Sequence, residues 1–241
     1  MSMSPRLLRP RATGFNPKTV TGLYAWYDAS DASTITLNGS SVSQWSDKSG
    51  NGRNLVQATA LNQPEYVSNG LNGKAVIAPD GVDDSLSLSA SVAGYLPRYV
   101  VGAFKPISDN GGPWIKAGGL SDGVAFGQGA STLDSNGLNV VALHEGVAWK
   151  NSAIAMTQGA GVIASYQYAT CFFRTFPYGT SDLTDATISS ATNIFAGGYS
   201  TSSRYTDGYI GEFLIYTAIP STTDRQKIEK YLGAKWGVTV T

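Results

Sequence analysis

The chain has 241 residues, of which 14% are charged and 42% are hydrophobic, and it contains 28 glycines. This length suffices for one large domain, and many glycines beside many Ser, Thr and Asn residues are typical of an all-β protein with numerous turns. No apolar run approaches the roughly 18 residues that a membrane-spanning helix needs, and no apolar segment of a secretory signal follows the N-terminus. The single cysteine, Cys171, excludes an intramolecular disulfide, and its apolar neighbours indicate a buried thiol.

Charge is unevenly distributed, although the formal net charge is zero. Residues 1–20 contain four basic and no acidic residues, which leaves 13 basic and 17 acidic residues in the remainder. Because three prolines favour extended backbone and little surface can be buried, we predict an extended basic arm over 1–20. The arm is expected either to stay solvated or to become ordered on a partner protein. Its basic residues are Arg6, Arg9, Arg11 and Lys18.

Short apolar runs between turn signals continue through residues 21–241. Runs such as Leu23–Asp28, Tyr99–Phe104 and Gly208–Tyr216 are rich in Val, Ile, Phe and Tyr, which favour strands. Several are apolar at successive positions, which is typical of strands covered on both faces. No repeat or change of composition divides this part, so it is predicted to form one β domain.

One helix is predicted near the C-terminus. Ser221 and Asp224 match a capping box, and Gly237 is a natural helix stop. Apolar residues between them recur at three- and four-residue spacing, so one stripe is expected to dock on the sheet. The stripe consists of Ile228, Tyr231, Leu232 and Trp236.

Five motifs, in order along the chain, carry a family resemblance. They are Y-A-W-Y-D-A-S-D-A-S-T-I-T (24–36), V-S-Q-W-S-D-K-S-G-N-G-R-N (42–54), N-G-L-N-G-K-A-V (69–76), D-G-V-D-D-S-L (80–86), and I-G-E-F-L-I-Y (210–216) with D-R-Q-K-I-E-K-Y-L-G-A-K-W-G (224–237). With these motifs the chain resembles the concanavalin A-like, laminin-G-like domains of bacterial and phage surface proteins. The resemblance implies an all-β, two-sheet antiparallel jelly-roll sandwich with one short C-terminal helix. Pro79 departs from the family pattern and is expected to end its strand or lie at an edge.

The N-terminal segment P-R-L-L-R-P-R-A-T-G-F (5–15) resembles the opening of phage tail and other phage structural proteins. This resemblance implies that the basic arm docks the domain on a virion.

Carboxylates are the first candidates for catalytic groups, because glycan hydrolases share the fold that the resemblance implies. Such enzymes need two carboxylates about 5 Å apart for retention, usually on alternate positions of one strand. None of the four glutamates has an acidic neighbour two positions away, and Glu212 lies between apolar residues, so we expect it to be hydrogen-bonded or ion-paired. The single histidine, His144, supports neither a zinc site nor a Ser-His-Asp site. We therefore predict no catalytic residues and no enzyme.

Aspartates are candidates for metal ligands and for turn formers. Asp80, Asp83 and Asp84 cluster in a glycine-bearing loop and form a weak candidate calcium site, with Asx-turns as the alternative. Asp47 is expected to organise a turn through hydrogen bonds from its side chain to the backbone.

Aromatic residues provide candidates for a glycan platform, because sugar faces stack on exposed rings. Trp26, Trp45 and Trp236 belong to family motifs and are expected in the core. The candidate glycan-binding residues are flanked by loop residues and are Trp114, Trp149, Tyr199, Arg204 and Tyr205.

Together these observations favour a non-enzymatic bacteriophage virion structural protein, such as a tail-fibre, baseplate or capsid-decorating subunit. The arm is expected to bind other virion proteins and the lectin-like sandwich to contact host surface glycans, with no nucleic acid bound and no membrane insertion. A homo-oligomer is compatible with the sequence. The alternatives are a glycan-degrading hydrolase on the same fold and a free-standing carbohydrate-binding module.

Overall fold

Antiparallel strands and one α-helix account for the regular structure of the described residues. The computed structural model describes residues 14–108, 112–118, 124–128, 140–144, 149–168, 172–182, 190–199 and 204–241. Single 3₁₀ turns span Pro17–Thr19, Ala32–Thr34 and Ala60–Asn62. The strands and the helix are β1 (Leu23–Asp28), β2 (Ile35–Asn38), β3 (Ser41–Trp45), β4 (Leu55–Val56), β5 (Glu65–Leu71), β6 (Lys74–Ala78), β7 (Leu86–Leu88), β8 (Tyr99–Pro106), β9 (Gly112–Ala117), β10 (Val124–Gln128), β11 (Val140–His144), β12 (Trp149–Ala155), β13 (Val162–Gln167), β14 (Phe172–Phe176), β15 (Gly179–Asp182), β16 (Ile194–Ala196), β17 (Gly198–Tyr199), β18 (Arg204–Tyr205), β19 (Gly208–Tyr216) and α1 (Thr222–Trp236).

Backbone pairing arranges most strands in two runs. Sheet A has the order β1-β19-β8-β13-β14-β15. Sheet B has the order β2-β3-β4-β7-β16-β9-β10-β11-β12. The β5–β6 hairpin joins the two, because β5 pairs with β3 and β6 pairs with β19. All these pairings are antiparallel, so the prediction of an all-β antiparallel fold with one C-terminal helix is confirmed.

Two apolar clusters explain why the central strands are apolar at successive positions. In β8, Val100 and Phe104 belong to the core that sheets A and B share. Tyr99, Val101 and Ala103 alternate with them and face a second cluster that includes the buried face of α1. Sheet A is therefore covered on both faces, by sheet B on one side and by α1 on the other.

Aromatic contacts connect the two sheets. Phe104 of sheet A stacks on Trp114 of sheet B, with ring centroids 4.7 Å apart and an interplanar angle of 8°. Phe213 of sheet A meets Trp45 of sheet B edge to face at 5.5 Å, and the Tyr27 ring lies 4.7 Å from Phe213. Such pairs add stabilisation beyond the apolar area that they bury.

Helix α1 begins and ends where the sequence predicts. The Ser221 hydroxyl accepts a hydrogen bond from the Asp224 amide at 3.1 Å, and Gly237 ends the helix in the left-handed conformation with φ 73°. Trp236 is completely buried against β19. A Cβ at Gly211 of β19 would lie 2.8 Å from the Trp236 ring, so a glycine is required at this crossing.

Part of the segment assigned to the arm packs on the sandwich. The Tyr216 hydroxyl donates to the Pro17 carbonyl at 3.3 Å, and the Phe15 and Tyr231 rings lie 5.7 Å apart. Lys18 is exposed, whereas the anchoring candidates Arg6, Arg9 and Arg11 lie outside the described residues.

Within the described ranges, no helix is both long and apolar enough to cross a membrane.

Replacing Trp236 by Ala is expected to lower the free energy of unfolding by about 3–5 kcal/mol, because it leaves a large cavity between α1 and sheet A. Urea unfolding followed by fluorescence and circular dichroism measures this loss. Lys230→Ala, at an exposed position of the same helix, serves as the control. Equal midpoints for both variants would contradict the role of Trp236 as the main helix anchor.

Candidate functional site

The W-S-D-K-S-G-N-G motif forms a turn around Asp47. The Asp47 carboxylate accepts hydrogen bonds from the backbone amides of Trp26 (3.0 Å), Ser49 (2.8 Å) and Arg53 (3.2 Å). The Asn54 side chain accepts in turn from the Asp47 amide at 3.0 Å. The predicted role of Asp47 is confirmed, so this motif shapes the backbone and holds the residues that follow it.

Glu212 is buried in the interface between α1 and sheet A. Its Oε1 accepts hydrogen bonds from Trp26 Nε1 at 2.7 Å and Tyr231 Oη at 2.8 Å. Its Oε2 accepts from Lys235 Nζ at 2.6 Å and Trp236 Nε1 at 2.9 Å. The carboxylate therefore has four donors around it and no room for a substrate.

The same network includes Asp28, which lies opposite Glu212 in the β1–β19 pair. Lys235 Nζ lies 2.6 Å from an oxygen of each carboxylate, and Lys48 bridges Asp28 and Asp31 at 2.8 and 2.7 Å. Burial, reinforced by the charge of Asp28, raises the pKa of Glu212. Burial also opposes ionisation of Asp28, but the hydrogen bond and charge of Lys235 hold its pKa below the usual value. These groups form a structural ion network, as expected for Glu212.

Glu229 is also engaged within the fold. Its carboxylate accepts from Ser165 Oγ at 3.0 Å, Tyr99 Oη at 3.3 Å and Arg225 Nη1 at 3.0 Å. Glu65 is exposed on β5, and Glu145 lies outside the described residues. The described glutamates therefore provide no pair of accessible carboxylates.

Aspartates of the Asp80–Asp84 loop form a different arrangement. Carboxylate oxygens of Asp80, Asp83 and Asp84 all lie within 4.8 Å of one another. Asp80 Oδ1 accepts from the Val82 amide at 2.8 Å, and Asp84 Oδ2 accepts from the Asp80 amide at 3.2 Å. Asp80 is exposed and Asp83 is half-buried, whereas Asp84 is buried, with 7% of its surface accessible to solvent. Three acids thus converge in this loop, and within the described part of the chain none of them forms a salt bridge.

Asp84 is the electrostatically unusual member of this loop. Burial raises its pKa to about 6, and the nearby charges of Asp80 and Asp83 act in the same direction. A carboxyl group of this kind still carries its proton in part of the population near neutral pH, as a general acid must.

The β17–β18 hairpin lies beside the acidic loop. Asp80 and Asp207 form an isolated antiparallel bridge, and the Thr206 amide donates to the Gly197 carbonyl at 2.9 Å. A Cβ at Gly197 would lie 3.0 Å from Pro79, so the two segments are in close contact. Two groups that the sequence suggests separately, the aspartate loop and the hairpin that carries Tyr199, Arg204 and Tyr205, are therefore adjacent.

The remaining predicted site residues are distributed differently. Trp114 is completely buried between the sheets, so the structure places it in the core and not on an exposed platform. Gly112 and Pro113 before it favour a loop in the sequence, but both belong to β9. The side chains of Trp149, Tyr199 and Arg204 lie outside the described part, and Tyr205 is half-buried.

Strand β6 ends at Ala78, directly before Pro79, as the sequence predicts.

Calcium at Asp80, Asp83 and Asp84 stays a prediction. The cluster offers several carboxylate oxygens in a small volume, which suits a hard cation, but calcium requires six to eight oxygen ligands. Two of the six carboxylate oxygens already accept amide hydrogen bonds.

Comparison with known proteins identifies fold relatives only. No protein-family model and no curated protein sequence matches the chain. A mutant GH54 α-L-arabinofuranosidase soaked with 4-nitrophenyl α-L-arabinofuranoside superposes with a TM-score of 0.63 at 12% identity, over 94% of this chain and 61% of that one. Domain 4 of AbnA, a GH43 extracellular arabinanase from Geobacillus stearothermophilus, in complex with arabinotriose, gives 0.55 at 13% identity, over 88% of this chain and 98% of that one. Trypanosoma rangeli sialidase in complex with sialic acid gives 0.52 at 14% identity, over 89% and 33%.

These matches correct the functional interpretation of the sequence. The prediction of a non-enzymatic phage virion protein is wrong, since the matched structures are carbohydrate-active proteins and the virion assignment depended on a family resemblance that they do not share. One fold can support several functions, so a sandwich fold gives no reason to exclude enzymatic activity. The chain spans about 61% of the arabinofuranosidases that it matches.

Glu212→Gln is expected to lower the free energy of unfolding by about 1–3 kcal/mol, because the amide nitrogen that replaces one carboxylate oxygen cannot accept the hydrogen bonds that the network donates there. Chemical denaturation measures the change, with exposed Glu65→Gln as the matched control. An unchanged midpoint for Glu212→Gln would show that the network contributes nothing to stability.

Asp84→Asn is expected to raise the melting temperature at pH 7.5 and to leave it nearly unchanged at pH 4. Because the folded-state pKa of Asp84 is raised to about 6, the folded state binds the proton more tightly, and its stability falls as pH rises from about 4 through 6. Thermal melts from pH 4 to 8 test this sign. Asp224→Asn is the control, since hydrogen bonds from Ser221 and Lys227 lower the pKa of Asp224 and predict the opposite slope.

Proposed function

We propose that this chain is a glycan-degrading hydrolase on a jelly-roll sandwich, with its catalytic carboxylates in the Asp80–Asp84 loop. One observation carries the proposal: three carboxylates lie within 4.8 Å, and the pKa of the most buried one is raised to about 6. Glycoside hydrolysis with retention requires two carboxyl groups about 5 Å apart, one protonated and one ionised.

The roles follow from the environments of the two outer residues. Asp84, half-protonated near pH 6, donates its proton to the glycosidic oxygen as that bond breaks. Asp80 is exposed, and amide donors stabilise its carboxylate, so its outer oxygen attacks the anomeric carbon and forms a glycosyl ester. Water then hydrolyses the ester while the Asp84 carboxylate takes up the water proton, which restores both groups. Burial raises the pKa of Asp84, and the charges of Asp80 and Asp83 add to this effect.

The fold relatives support arabinose-containing polysaccharides as first substrates. An arabinofuranosidase complexed with arabinofuranosyl-α-1,2-xylobiose superposes with a TM-score of 0.61 over 95% of this chain. The β17–β18 hairpin beside the acidic loop supplies Tyr205, and Tyr199 and Arg204 from the same hairpin are proposed to bind the sugar next to the cleaved bond.

A second candidate is a carbohydrate-binding module without hydrolytic activity. The specific observation is that this chain covers 98% of an isolated arabinanase domain whose structure contains arabinotriose. This candidate requires a sugar site but no catalytic acid.

The decisive experiment measures sugar released from arabinan and arabinoxylan by the wild-type chain, Asp84→Asn, Asp80→Asn and Asp224→Asn. Loss of a general acid is expected to reduce release at least about 100-fold in Asp84→Asn, whereas Asp224→Asn should retain the wild-type rate. Wild-type rates in both loop variants would overturn the proposed catalytic site. Binding of arabinotriose without release from either polymer would favour the second candidate.

A further inference from the structure

A polar cavity opens between the Asp47 turn and the loop that follows β7. Its volume is about 300 Å³, and its walls are residues 51–54 on one side and 88–92 on the other. The cavity is separate from the acidic loop, which precedes β7. Leu88 lies four positions after Asp84, so the Cα atoms of these two residues are at most about 14 Å apart.

The turn wall presents side chains whose positions are set by the backbone. Asn51 Nδ2 donates to the carbonyls of Leu23 and Tyr24 at 3.2 and 2.9 Å, which leaves Oδ1 as an acceptor within the described residues. Asn54 uses Oδ1 to accept from the Asp47 amide, which leaves its Nδ2 as a donor. Arg53 Nη1 donates to the Tyr24 carbonyl at 3.1 Å, and its guanidinium lies 3.6 Å from the centre of the Tyr24 ring.

The opposite wall is held at both ends. The Leu88 amide donates to Asn193 Oδ1 at 3.2 Å, and the Val92 amide donates to the Thr192 carbonyl at 2.9 Å. The Tyr24 ring, which Arg53 contacts, stacks on the Tyr95 ring at 4.0 Å, so the chain just beyond this wall packs against β1. The cavity is therefore formed before any ligand binds, which reduces the entropic cost of binding.

The chemistry of the walls matches a neutral sugar. Sugar hydroxyls both donate and accept, and the turn wall offers an acceptor on Asn51 and donors on Asn54 and Arg53. Ser89 and Ser91 add hydroxyls opposite, and Leu88, Ala90 and Val92 provide an apolar surface for the C–H face of the ring. Among the residues that the structure describes, Arg53 is the only charged one that lines the cavity, and its guanidinium already contacts a carbonyl and an aromatic face.

We infer that this cavity is a binding subsite for a neutral glycosyl unit, remote from the bond that is cleaved. The inference rests on the proposed action on glycans and adds the place where the chain holds a polymer. The subsite lies at the C-terminal end of β7, and the acidic loop lies at its N-terminal end. Because β7 connects the subsite and the loop rigidly, an oligosaccharide bound in the subsite is held in a fixed position relative to the acidic loop.

The test uses arabinotriose as the probe and isothermal titration calorimetry as the readout. Ala90→Phe places a ring in the cavity at an exposed position, and Ala60→Phe makes the same change at an exposed alanine elsewhere. We expect Ala90→Phe to weaken arabinotriose binding at least about tenfold, with an unchanged melting temperature, and Ala60→Phe to bind like the wild type. Ser91→Phe is a second blocking variant if Ala90→Phe folds poorly.

Wild-type affinity in both blocking variants would overturn the subsite, and so would binding of sialyllactose in place of arabinotriose, since that ligand is acidic. If polymer hydrolysis still depends on Asp84 in that case, the proposed function stands although the subsite is overturned. Conversely, cavity-dependent binding of arabinotriose with no hydrolysis of arabinan or arabinoxylan would uphold the subsite and overturn the hydrolase.

Discussion

The buried carboxylate of Glu212 is the interaction on which the rest of the structure depends. Taking a charge out of water is costly unless it is paired and hydrogen-bonded, and here donors from β1 and α1 converge on both oxygens. The arrangement requires β1, β19 and α1 to meet in one register. Segments that are far apart in the sequence, around Trp26 and Trp236, are thereby fixed against one another.

This network also distinguishes structural acids from candidate functional ones. Glu212 and Glu229 are buried, but each is surrounded by donors that compensate its charge. Asp84 is also buried, but its close charged neighbours are other carboxylates; burial, reinforced by the charges of Asp80 and Asp83, raises its pKa to about 6. An uncompensated shift of this kind in a surface loop is a physical indication of function, whereas burial alone is not.

The two candidate sites share one element of the scaffold. Strand β7 pairs with β4 and β16, which holds the acidic loop before it and the sugar-sized cavity after it in a fixed relation. Both sites use loops at the margins of a rigid sandwich, where the core does not limit which side chains are present. The same scaffold occurs in arabinofuranosidases, an arabinanase domain and a sialidase, so the loops and not the sheets must decide the chemistry.

Local patterns in the sequence determined the strands at Leu23–Asp28 and Gly208–Tyr216, the limits of α1 and the Asp47 turn, because periodicity, caps and Asx-turns act over a few residues. The tertiary structure alone decided the burial of Trp114, which stacks on a ring from the other sheet, and the contact between the Pro79 segment and Gly197. It also decided the raised pKa of Asp84. A pattern of acids on alternate positions of one strand does not point to Asp84, the proposed general acid, because its burial comes from packing between segments distant in sequence. Short-range forces can be read from neighbouring residues, whereas packing and electrostatic environment depend on which distant residues the fold brings into contact.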